Sequence, residues 1–346
     1  MSVQGVDPMM PPRRPTRVAI IGAGLAGLAC ADVLQKTGID VTVYEGADAV
    51  GGRMHTRTGR GWQCDDGAQY FTARDPGFAA LVERWMADGV VARWPARVAS
   101  WDGTTMRHSH SALARFVGTP EMAAPARALA AGLEVRTRAS VHALERSSGG
   151  WVVNLGAATA AATQVVDAVL LAVPAPDAVT LLADRAPVLL RIARSAQMLP
   201  AWAAVLRFAA PIDPGYDALF VNAGPLRWVA RDSSKPARAG AETWLLHATA
   251  TWSLAHGDAT PAQVIASLLP ELAALGLPPP LACDAHHWVT ASTAPPLQTG
   301  SVWDASLGLG LCGDWLAGGK VEGAWLSGTA LAREVAGIAA TGLEPQ

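Results

Sequence analysis

A short glycine-rich segment near the start of the chain constrains the fold more than any other feature of the sequence. It reads Gly-Ala-Gly-Leu-Ala-Gly over residues 22–27, between an apolar strand predicted over Arg17–Ile21 and a helix predicted over Leu25–Lys36. The first glycine permits a tight turn, the second lets the backbone approach a diphosphate, and the third lets the helix pack against the strand. The unpaired N–H groups at the start of the helix suit an anion. The pattern predicts a dinucleotide-binding unit, and the alternative is a loop used only for packing.

Two features downstream of this loop indicate which dinucleotide binds. A strand predicted over Val41–Tyr44 is followed by Glu45, where a carboxylate accepts hydrogen bonds from a ribose and disfavours a 2′-phosphate; the alternative is a solvated carboxylate at a strand end. Gly51, Gly52 and Arg53 come soon afterwards. The two glycines let the chain pass close to a cofactor, and an arginine suits bidentate recognition of phosphate. Folds that bind NAD do not need a second group of glycines such as Gly51 and Gly52. The glycine loop, Glu45 and this second group together therefore predict FAD.

The length of the chain and the order of its elements predict two domains. At 346 residues the chain exceeds the size at which one hydrophobic core stops growing. A strand, a Gly-Asp loop and a helix recur near the end of the sequence, so the simplest architecture is a domain assembled from both ends with another inserted between. Helices are predicted over Pro76–Asp88, Ser111–Val117, Ala123–Ala131, Val179–Ile192 with an interruption at Pro187, Pro261–Leu275 and Val321–Ala339. Strands are predicted over Val90–Trp101, Ala168–Val173, Ala201–Phe208, Ala218–Val221, Trp228–Arg231, Thr243–Ala250 and Leu307–Cys312, with a meander over Leu133–Arg138, Val141–Arg146 and Trp151–Leu155.

Charge and hydropathy disfavour several classes of function. The 27 basic and 29 acidic side chains give a net charge of −2, which provides no bulk attraction to nucleic acid or anionic lipid. No segment has the length and uniform apolarity of a membrane span. The four cysteines are scattered without metal-ligand spacing, which is typical of reduced thiols in a cytoplasmic protein and predicts no metal site. The proline-rich residues 1–16 are expected to form a disordered lead-in, and the oligomeric state stays open.

Longer stretches of the chain resemble a known family. The run Val18–Arg53 looks like the amine-oxidase branch of FAD enzymes, and further stretches are similar to the bacterial renalase-like family: Asp66–Asp75, Trp228–Pro236, Trp244–Ala248, Cys312–Trp315 and Val321–Gly328. The resemblance implies an α/β fold, with a Rossmann-like FAD-binding domain of the amine-oxidase type and an inserted substrate domain of β-sheet plus helices. The implied boundaries are residues 17–75, 108–176 and 294–346 for the FAD-binding domain, and 76–107 and 177–293 for the substrate domain.

The resemblance also assigns cofactor contacts residue by residue. The glycine loop and Arg53 would line the FAD phosphates, the backbone of Val141 would face the adenine, and Asp314 would hold ribitol or phosphate. Gln69 and Tyr70 would lie beside the flavin, and the start of the last helix would face its pyrimidine side, where a helix N-terminus stabilises the negative charge of the reduced ring. The implied cofactor-binding residues are Gly22, Gly24, Leu25, Ala26, Gly27, Glu45, Gly52, Arg53, Gln69, Tyr70, Val141, Gly313, Asp314, Glu322, Gly323 and Ala324.

Three residues are implied on the substrate side. His247 is expected to donate a hydrogen bond to the substrate, with a satisfied interior histidine as the alternative. Trp288 is expected to form a wall of the site, although most of the 13 tryptophans must be ordinary packing. Arg74 is expected to contact a charged substrate, with a surface ion pair as the alternative. The sequence departs from the family where Val289 and Thr290 replace an arginine and a tyrosine, and where Asp232 replaces an asparagine.

The implied activity is that of an FAD-dependent oxidase. It would oxidise the 2- and 6-dihydro isomers of NAD(P) to NAD(P)+ by hydride transfer to flavin N5, and dioxygen would be reduced to hydrogen peroxide. A monoamine-type amine oxidase on the same fold is the first alternative, although only Tyr44, Tyr70 and Tyr216 could supply the paired-tyrosine cage that favours an amine. A non-catalytic escort protein of the same fold is the second alternative. The cysteine attachment signal of the covalent amine oxidases is absent, so noncovalent FAD is expected.

Overall fold

Helices connect many of the strands in the described part of the chain. The computed structural model describes residues 14–109, 111–156 and 165–338. Its α-helices are α1 (Leu25–Lys36), α2 (Pro76–Ala87), α3 (Ala124–Ala130), α4 (Ala175–Leu182), α5 (Pro187–Ser195), α6 (Ala250–Ala255), α7 (Pro261–Leu268), α8 (Glu271–Ala274) and α9 (Val321–Ala336). Short 3₁₀ helices cover Asp232–Ser234 and Asp314–Leu316.

Strands are mostly short and form two large sheets and three small ones. They are β1 (Arg17–Ile21), β2 (Asp40–Tyr44), β3 (Thr56–Gly59), β4 (Trp62–Asp65), β5 (Val91–Arg93), β6 (Val98–Trp101), β7 (Met106–His108), β8 (Phe116–Gly118), β9 (Glu134–Arg136), β10 (Val141–Ser147), β11 (Gly150–Leu155), β12 (Val165–Val166), β13 (Ala168–Leu171), β14 (Met198–Phe208), β15 (Ala218–Val221), β16 (Leu226–Arg231), β17 (Glu242–Ala248), β18 (Ala282–Thr293), β19 (Val302–Asp304) and β20 (Leu309–Leu311). The small sheets are β10-β11-β12, β3-β4 and β5-β8.

The first large sheet joins the two ends of the chain. Its strand order is β19-β20-β13-β1-β2-β9, and β1 is paired in parallel with both β2 and β13. The strands β1 and β13 are continuous apolar runs because they are buried on both faces, as in other parallel sheets. β20 pairs in parallel with β13, so a strand from the C-terminal part completes the N-terminal Rossmann-like unit. This confirms the α/β architecture that the glycine loop and the resemblance predicted.

The second large sheet has the order β18-β14-β17-β16-β15-β6-β7 and is mostly antiparallel. Its register places Ala203 of β14 opposite both His247 of β17 and His286 of β18, and places Trp228 of β16 opposite His247. Residues directly opposite each other share a face of a sheet. Trp228, His247, Ala203 and His286 therefore form one row across four neighbouring strands. The domain boundaries given by the resemblance stay a prediction.

Backbone pairing corrects two predictions made from the sequence. The helix predicted over Ser111–Val117 is wrong: its alanines favour a helix, but Phe116 is buried, stacks on Phe71 and exchanges both backbone hydrogen bonds with that residue. The meander over residues 133–155 is also wrong in part. β9 pairs in parallel with β2, whereas β10 pairs with β11, and β11 with β12, in a separate antiparallel sheet.

Prolines account for the differences in helix length. The helix predicted over Val179–Ile192 is two helices, because Pro187 begins α5, and the helix predicted over Pro261–Leu275 is broken at Pro270. The final helix ends at Ala336 with Gly337 in the left-handed region (φ 68°). The 12-residue strand β18 was not predicted.

Some predictions fall on the edge of the described chain. Within the predicted lead-in, residues 1–13 lie outside the described residues, whereas Arg14 donates to the carbonyl of Thr37 and Thr16 donates to the carboxylate of Asp167. The predicted end of the last helix at Ala339 also lies outside them. Among the described residues, no helix combines the length and apolarity needed to cross a membrane.

The crossing of α1 and α9 gives a test of how the two ends meet. A Cβ atom at Gly328 would lie 2.0 Å from the carbonyl oxygen of Ala26, so the helices approach too closely for a side chain. We expect Gly328→Val to lower the free energy of unfolding by about 1–3 kcal/mol or more, because overpacking must separate the helices. Urea denaturation would measure the effect. Ala330→Val, at a half-buried position of the same helix, is the control, and equal losses in the two variants would contradict the close crossing.

Candidate cofactor and substrate site

The glycine loop forms an open cradle at the start of α1. Gly22 has a φ of 105°, which favours glycine, and a Cβ atom at Gly27 would lie 2.0 Å from the carbonyl oxygen of Gly22. Gly24 is the N-cap of α1 and supplies no side-chain hydrogen bond, so the first N–H groups of the helix, on Leu25 and Ala26, have no cap. A Cβ atom at Gly24 would have nothing within 4 Å. The loop thus offers open space and unpaired donors, which fits a diphosphate.

Glu45 lies at the mouth of this cradle. Its carboxylate accepts hydrogen bonds from the backbone N–H of Ala23 (2.7 Å) and from that of Ala47 (2.9 Å). Its carbonyl accepts from the N–H of Ala139, which brings the segment leading to Val141 alongside the end of β2. Val141 itself is half-buried at the start of β10. The predicted ribose and adenine residues are therefore close in the fold.

The second group of glycines, Gly51 and Gly52, packs directly on the glycine loop. Gly51 donates its N–H to the carbonyl of Ala23 (2.9 Å), and a Cβ atom at Gly52 would lie 3.7 Å from the Cα atom of Gly24. Arg53, which follows, makes a two-pronged contact with Asp314: the Nη2–Oδ1 distance is 2.5 Å and the Nη1–Oδ2 distance is 3.2 Å. A bidentate arginine–carboxylate pair fixes orientation as well as charge.

Asp314 follows Gly313, whose N–H donates to the hydroxyl of Ser327 in α9. The Arg53–Asp314 pair therefore joins the N-terminal cofactor residues to the C-terminal ones. The stations that the resemblance assigned from the two ends of the sequence are brought together in space.

The start of α9 differs in detail from the prediction. A Cβ atom at Gly323 would overlap the carbonyl oxygen of Ala317, so only glycine fits this approach. The N–H of Ala324 already closes the first turn by donating to the carbonyl of Lys320. The carboxylate of Glu322 accepts from the backbone N–H groups of Arg74 and Asp75, at 2.6 Å each. The donors left for a ligand are thus the N–H groups before Ala324, and the side chain of Glu322 is engaged by the protein itself.

The side chains of Gln69 and Tyr70 are fixed by contacts with the protein. The side-chain amide of Gln69 donates to the carbonyls of Asp65 (2.6 Å) and Gly67 (3.2 Å). The side-chain oxygen of Gln69 lies 3.4 Å from the ammonium of Lys235. The ring of Tyr70 contacts two tryptophans and a guanidinium, those of Trp94, Trp228 and Arg115.

A buried ion cluster lies behind this segment and was missed in the sequence. Lys235 contacts Asp65 (2.8 Å) and Asp232 (2.6 Å), and Arg238 contacts Asp65 (2.5 Å); these four side chains are at most 1% exposed. Burial and the charge of Asp65 raise the pKa of Asp232 to about 6. Burial opposes ionisation of Asp65 as well, but the charges of Lys235 and Arg238 lower its pKa. The charges of the two acids and the two bases cancel. Because Asp65 ends β4 and its partners Lys235 and Arg238 follow β16, the cluster holds the hairpin β3–β4 against the loop after β16.

Two of the three residues predicted on the substrate side, His247 and Trp288, contact the same atom. His247 Nε2 lies 3.2 Å from the carbonyl oxygen of Asp66, and Trp288 Nε1 donates to that oxygen at 2.8 Å. Burial lowers the pKa of His247 to about 4, so the imidazole is neutral near pH 7. The side chain of Arg74 is exposed and makes no contact with His247 or Trp288, because only its backbone is tied to this region, through Glu322.

Two histidines that were not singled out in the sequence, His55 and His286, contact Trp288. The rings of His55 and His286 stand edge-on to the indole, with centroids at 6.0 Å and 4.7 Å. The carboxylate of Asp66 accepts from His55 Nδ1 (2.5 Å) and from Arg57 Nε (3.0 Å). The spacing of His55 and Arg57 in an extended segment, and the His286-x-Trp288 alternation, could have signalled them. Among the described residues, no group of three or more potential ligands is placed to hold a metal ion.

Two family models match this chain. Residues 20–85 match that of the NAD(P)-binding Rossmann-like domain, and residues 98–336 match that of the flavin containing amine oxidoreductases. The chain belongs to the flavin-containing amine oxidoreductase family. The family implies FAD as the cofactor, and the open glycine cradle and the uncapped start of α1 fit its diphosphate.

Two curated relatives match short segments of the chain. A 67-residue segment is 39% identical to protoporphyrinogen oxidase 2 of Arabidopsis thaliana and covers 19% of this chain and 13% of that protein. A 53-residue segment is 47% identical to an L-amino-acid oxidase of Crotalus adamanteus and covers 15% of this chain and 10% of that protein. Because the matched segments are short, the substrates of these two relatives do not carry over to this chain.

Solved structures match over almost the whole chain. A putative protoporphyrinogen oxidase from Exiguobacterium superposes with a TM-score of 0.77 at 14% identity, covering 93% of this chain and 98% of that one. Cyclohexylamine oxidase from Brevibacterium oxydans superposes with a TM-score of 0.72 at 13% identity, covering 93% and 99%. At such identities the likeness establishes the fold.

The buried ion cluster predicts a large effect of one substitution. Lys235→Met leaves two buried carboxylates with one partner, and we expect it to cost about 3–5 kcal/mol of stability. The cost should shrink as the pH is lowered, because Asp232, whose pKa is already about 6, would then bind a proton in the folded state. Urea denaturation at several pH values would measure this.

The matched control is Lys36→Met, which removes an exposed lysine paired with Asp32 at 2.8 Å. A surface pair of this kind contributes at most about 1 kcal/mol. A Lys235 variant no less stable than the Lys36 variant would show that the cluster does not hold the hairpin.

Proposed function

We propose that this flavoprotein is a renalase-like oxidase that holds FAD noncovalently and oxidises 2- and 6-dihydro isomers of NAD(P) to NAD(P)+. The observation that carries the proposal is the shared anchoring of neutral His247 and Trp288 on the carbonyl of Asp66. This arrangement offers a planar wall and an uncharged polar group beside the segment that leads to Gln69. A dihydropyridine needs to be stacked and aligned, and it needs no strong acid or base.

The position of the tyrosines weighs against an amine cage. Tyr44 is buried in the core against the first large sheet, and Tyr216 is buried in another core, where it donates to the carbonyl of Leu275. Tyr70 alone of the three lies near Gln69. A paired-tyrosine cage is therefore not assembled, which favours the dihydronicotinamide substrate over a monoamine.

The two departures from the family pattern are accommodated in the fold. Val289 is 68% exposed, and strand alternation puts it on the face of β18 opposite to Trp288. Thr290 is half-buried next to an irregularity in the pairing of β18 with β14. Asp232 neutralises Lys235 within the buried cluster.

The residues would divide the work of catalysis between them. The glycine loop would bind the diphosphate, Glu45 the ribose, and the start of α9 would stabilise negative charge on the pyrimidine side of the flavin. His247 and Trp288 would orient the substrate ring so that the carbon that loses hydride faces the acceptor. When bound, FAD supplies a two-electron acceptor that passes the electrons on to dioxygen, which leaves as hydrogen peroxide. We place the enzyme in the cytoplasm, in line with its four free cysteines.

Cofactor retention tests the binding residues. The holoenzyme should release its FAD into the supernatant on acid precipitation, and flavin that stays in the pellet would contradict noncovalent binding. Glu45→Ala should lose FAD on dilution at least about tenfold more readily than wild type, since a charge-assisted hydrogen bond contributes roughly 1.5–3 kcal/mol. Glu134→Ala, in the neighbouring parallel strand β9 and paired with Arg136, is the control and should retain FAD normally.

Flavin reduction tests the substrate. Under anaerobic conditions, 2- and 6-dihydroNAD should bleach the flavin absorbance rapidly, whereas catecholamines and simple amines should bleach it slowly or not at all. His247→Ala should slow this reduction while leaving FAD bound. Faster reduction by amines would reassign the enzyme as a monoamine-type oxidase, and no reduction by any donor would favour an escort protein.

A further inference from the structure

Consecutive acids on the hairpin β3–β4 face opposite sides. Asp65 points to the buried cluster, and the carboxylate of Asp66 points to His55 and Arg57. Successive side chains of an extended backbone point to opposite sides. Thr56 therefore lies on the side of Asp65, to which it donates a hydrogen bond. His55 and Arg57, the neighbours of Thr56 in the sequence, lie on the side of Asp66. The catalytic scheme above uses only the carbonyl of Asp66, so His55 and Arg57 are left without a role.

Both side chains keep free hydrogen-bond donors. Among the described residues, the one hydrogen-bond partner of each side chain is Asp66. His55 Nε2 and Arg57 Nη1 and Nη2 make no hydrogen bond within the described part of the chain. The side chains are 48% and 31% exposed, so these donors are accessible to solvent. His55 stands edge-on to Trp288, the proposed wall of the substrate site.

The charges of this group leave a positive balance. Burial opposes the charge of Asp66, but the hydrogen bonds and charges of His55 and Arg57 lower its pKa, so it is ionised. Arg57 neutralises it. The hydrogen bond to Asp66 raises the pKa of His55, which favours an additional positive charge on the imidazole.

We propose that His55 and Arg57 form a binding site for the phosphate groups of the substrate. The inference rests on the proposed function, because it assigns the charged part of the dihydronicotinamide dinucleotide whose ring stacks by Trp288. An arginine fork and an imidazole N–H match phosphate oxygens, and a substrate with a flat ring and a nearby diphosphate needs both contacts. A simple amine would gain nothing from this site.

Binding without turnover provides the test. NAD+, nicotinamide riboside and inorganic pyrophosphate are titrated into the FAD-loaded enzyme, and dissociation constants are measured by calorimetry. Arg57→Gln should weaken NAD+ binding about tenfold or more and leave nicotinamide riboside unchanged, because only NAD+ carries phosphates. Pyrophosphate should bind more weakly than NAD+, and Arg57→Gln should remove that binding as well.

The matched control is Arg207→Gln. Arg207 has a similar exposure of 29%, one carboxylate partner, Asp284, and a neighbouring tryptophan, Trp62. It lies four positions along β14 from Ala203, away from the row that contains His247. The Arg207→Gln variant should bind NAD+ with the same affinity as the wild-type enzyme. An equal loss in the two variants, or a loss for nicotinamide riboside as large as that for NAD+, would overturn the proposal.

The pH dependence separates a phosphate contact from a folding defect. NAD+ affinity should fall as the pH rises through the raised pKa of His55, because the imidazolium then loses its charge. The titratable groups close enough to influence His55 are Asp66, Arg57, Asp65 on the far side of the hairpin and, from β18, His286. His55→Gln should remove this dependence while keeping the melting temperature and the flavin spectrum. A dependence that persists in His55→Gln would refute the site.

The outcomes also distinguish this proposal from the proposed function. If amines alone reduce the flavin while NAD+ and pyrophosphate still bind through Arg57, the anion site stands and the substrate assignment fails. If dihydroNAD reduces the flavin and the variants bind NAD+ normally, the substrate assignment stands and the phosphate site fails. Pyrophosphate that binds as tightly as NAD+ would assign the site to a free anion and overturn its role in substrate binding.

Discussion

The dipeptide Asp65–Asp66 connects the parts of this enzyme that must be held in register. The carboxylate of Asp65 is buried against Lys235 and Arg238, and the carbonyl of Asp66 receives both His247 and Trp288. A carbonyl in a fixed backbone is a more rigid anchor than a side chain. Since a buried carboxylate without partners is strongly unfavourable, the ion cluster fixes the peptide that anchors His247 and Trp288, the proposed substrate wall.

Charged groups lie on both sides of this dipeptide. The buried cluster of Asp65 is enclosed behind Gln69, whereas the carboxylate of Asp66 pairs with His55 and Arg57 on the side of Trp288. Burial lowers the pKa of His247 to about 4, so its imidazole is neutral near pH 7. The buried cluster is therefore separated from the side chains that we propose to contact substrate.

The sequence predicted the cofactor half of the molecule better than the substrate half. The glycine loop, Glu45 and Arg53 lie in a local βαβ unit whose geometry follows from spacing, and the structure brings them together. The contacts of His247 and Trp288 with Asp66 join residues 181 and 222 positions apart. No local pattern specifies such pairs. Likewise, Glu322 looked like a cofactor residue by position, but its carboxylate is taken up by the backbone before α2.

The meeting of the chain's two ends in one sheet has a consequence for biosynthesis. β20 and α9 complete a sheet and a helix pair begun by β1 and α1, and Arg53 finds its carboxylate partner only at Asp314. A nascent chain therefore carries the glycine loop for most of its synthesis without the strand, the carboxylate or the helix that close the cofactor site. FAD would therefore be captured firmly only after α9 has left the ribosome, so cofactor binding must follow the synthesis of residues 309–336.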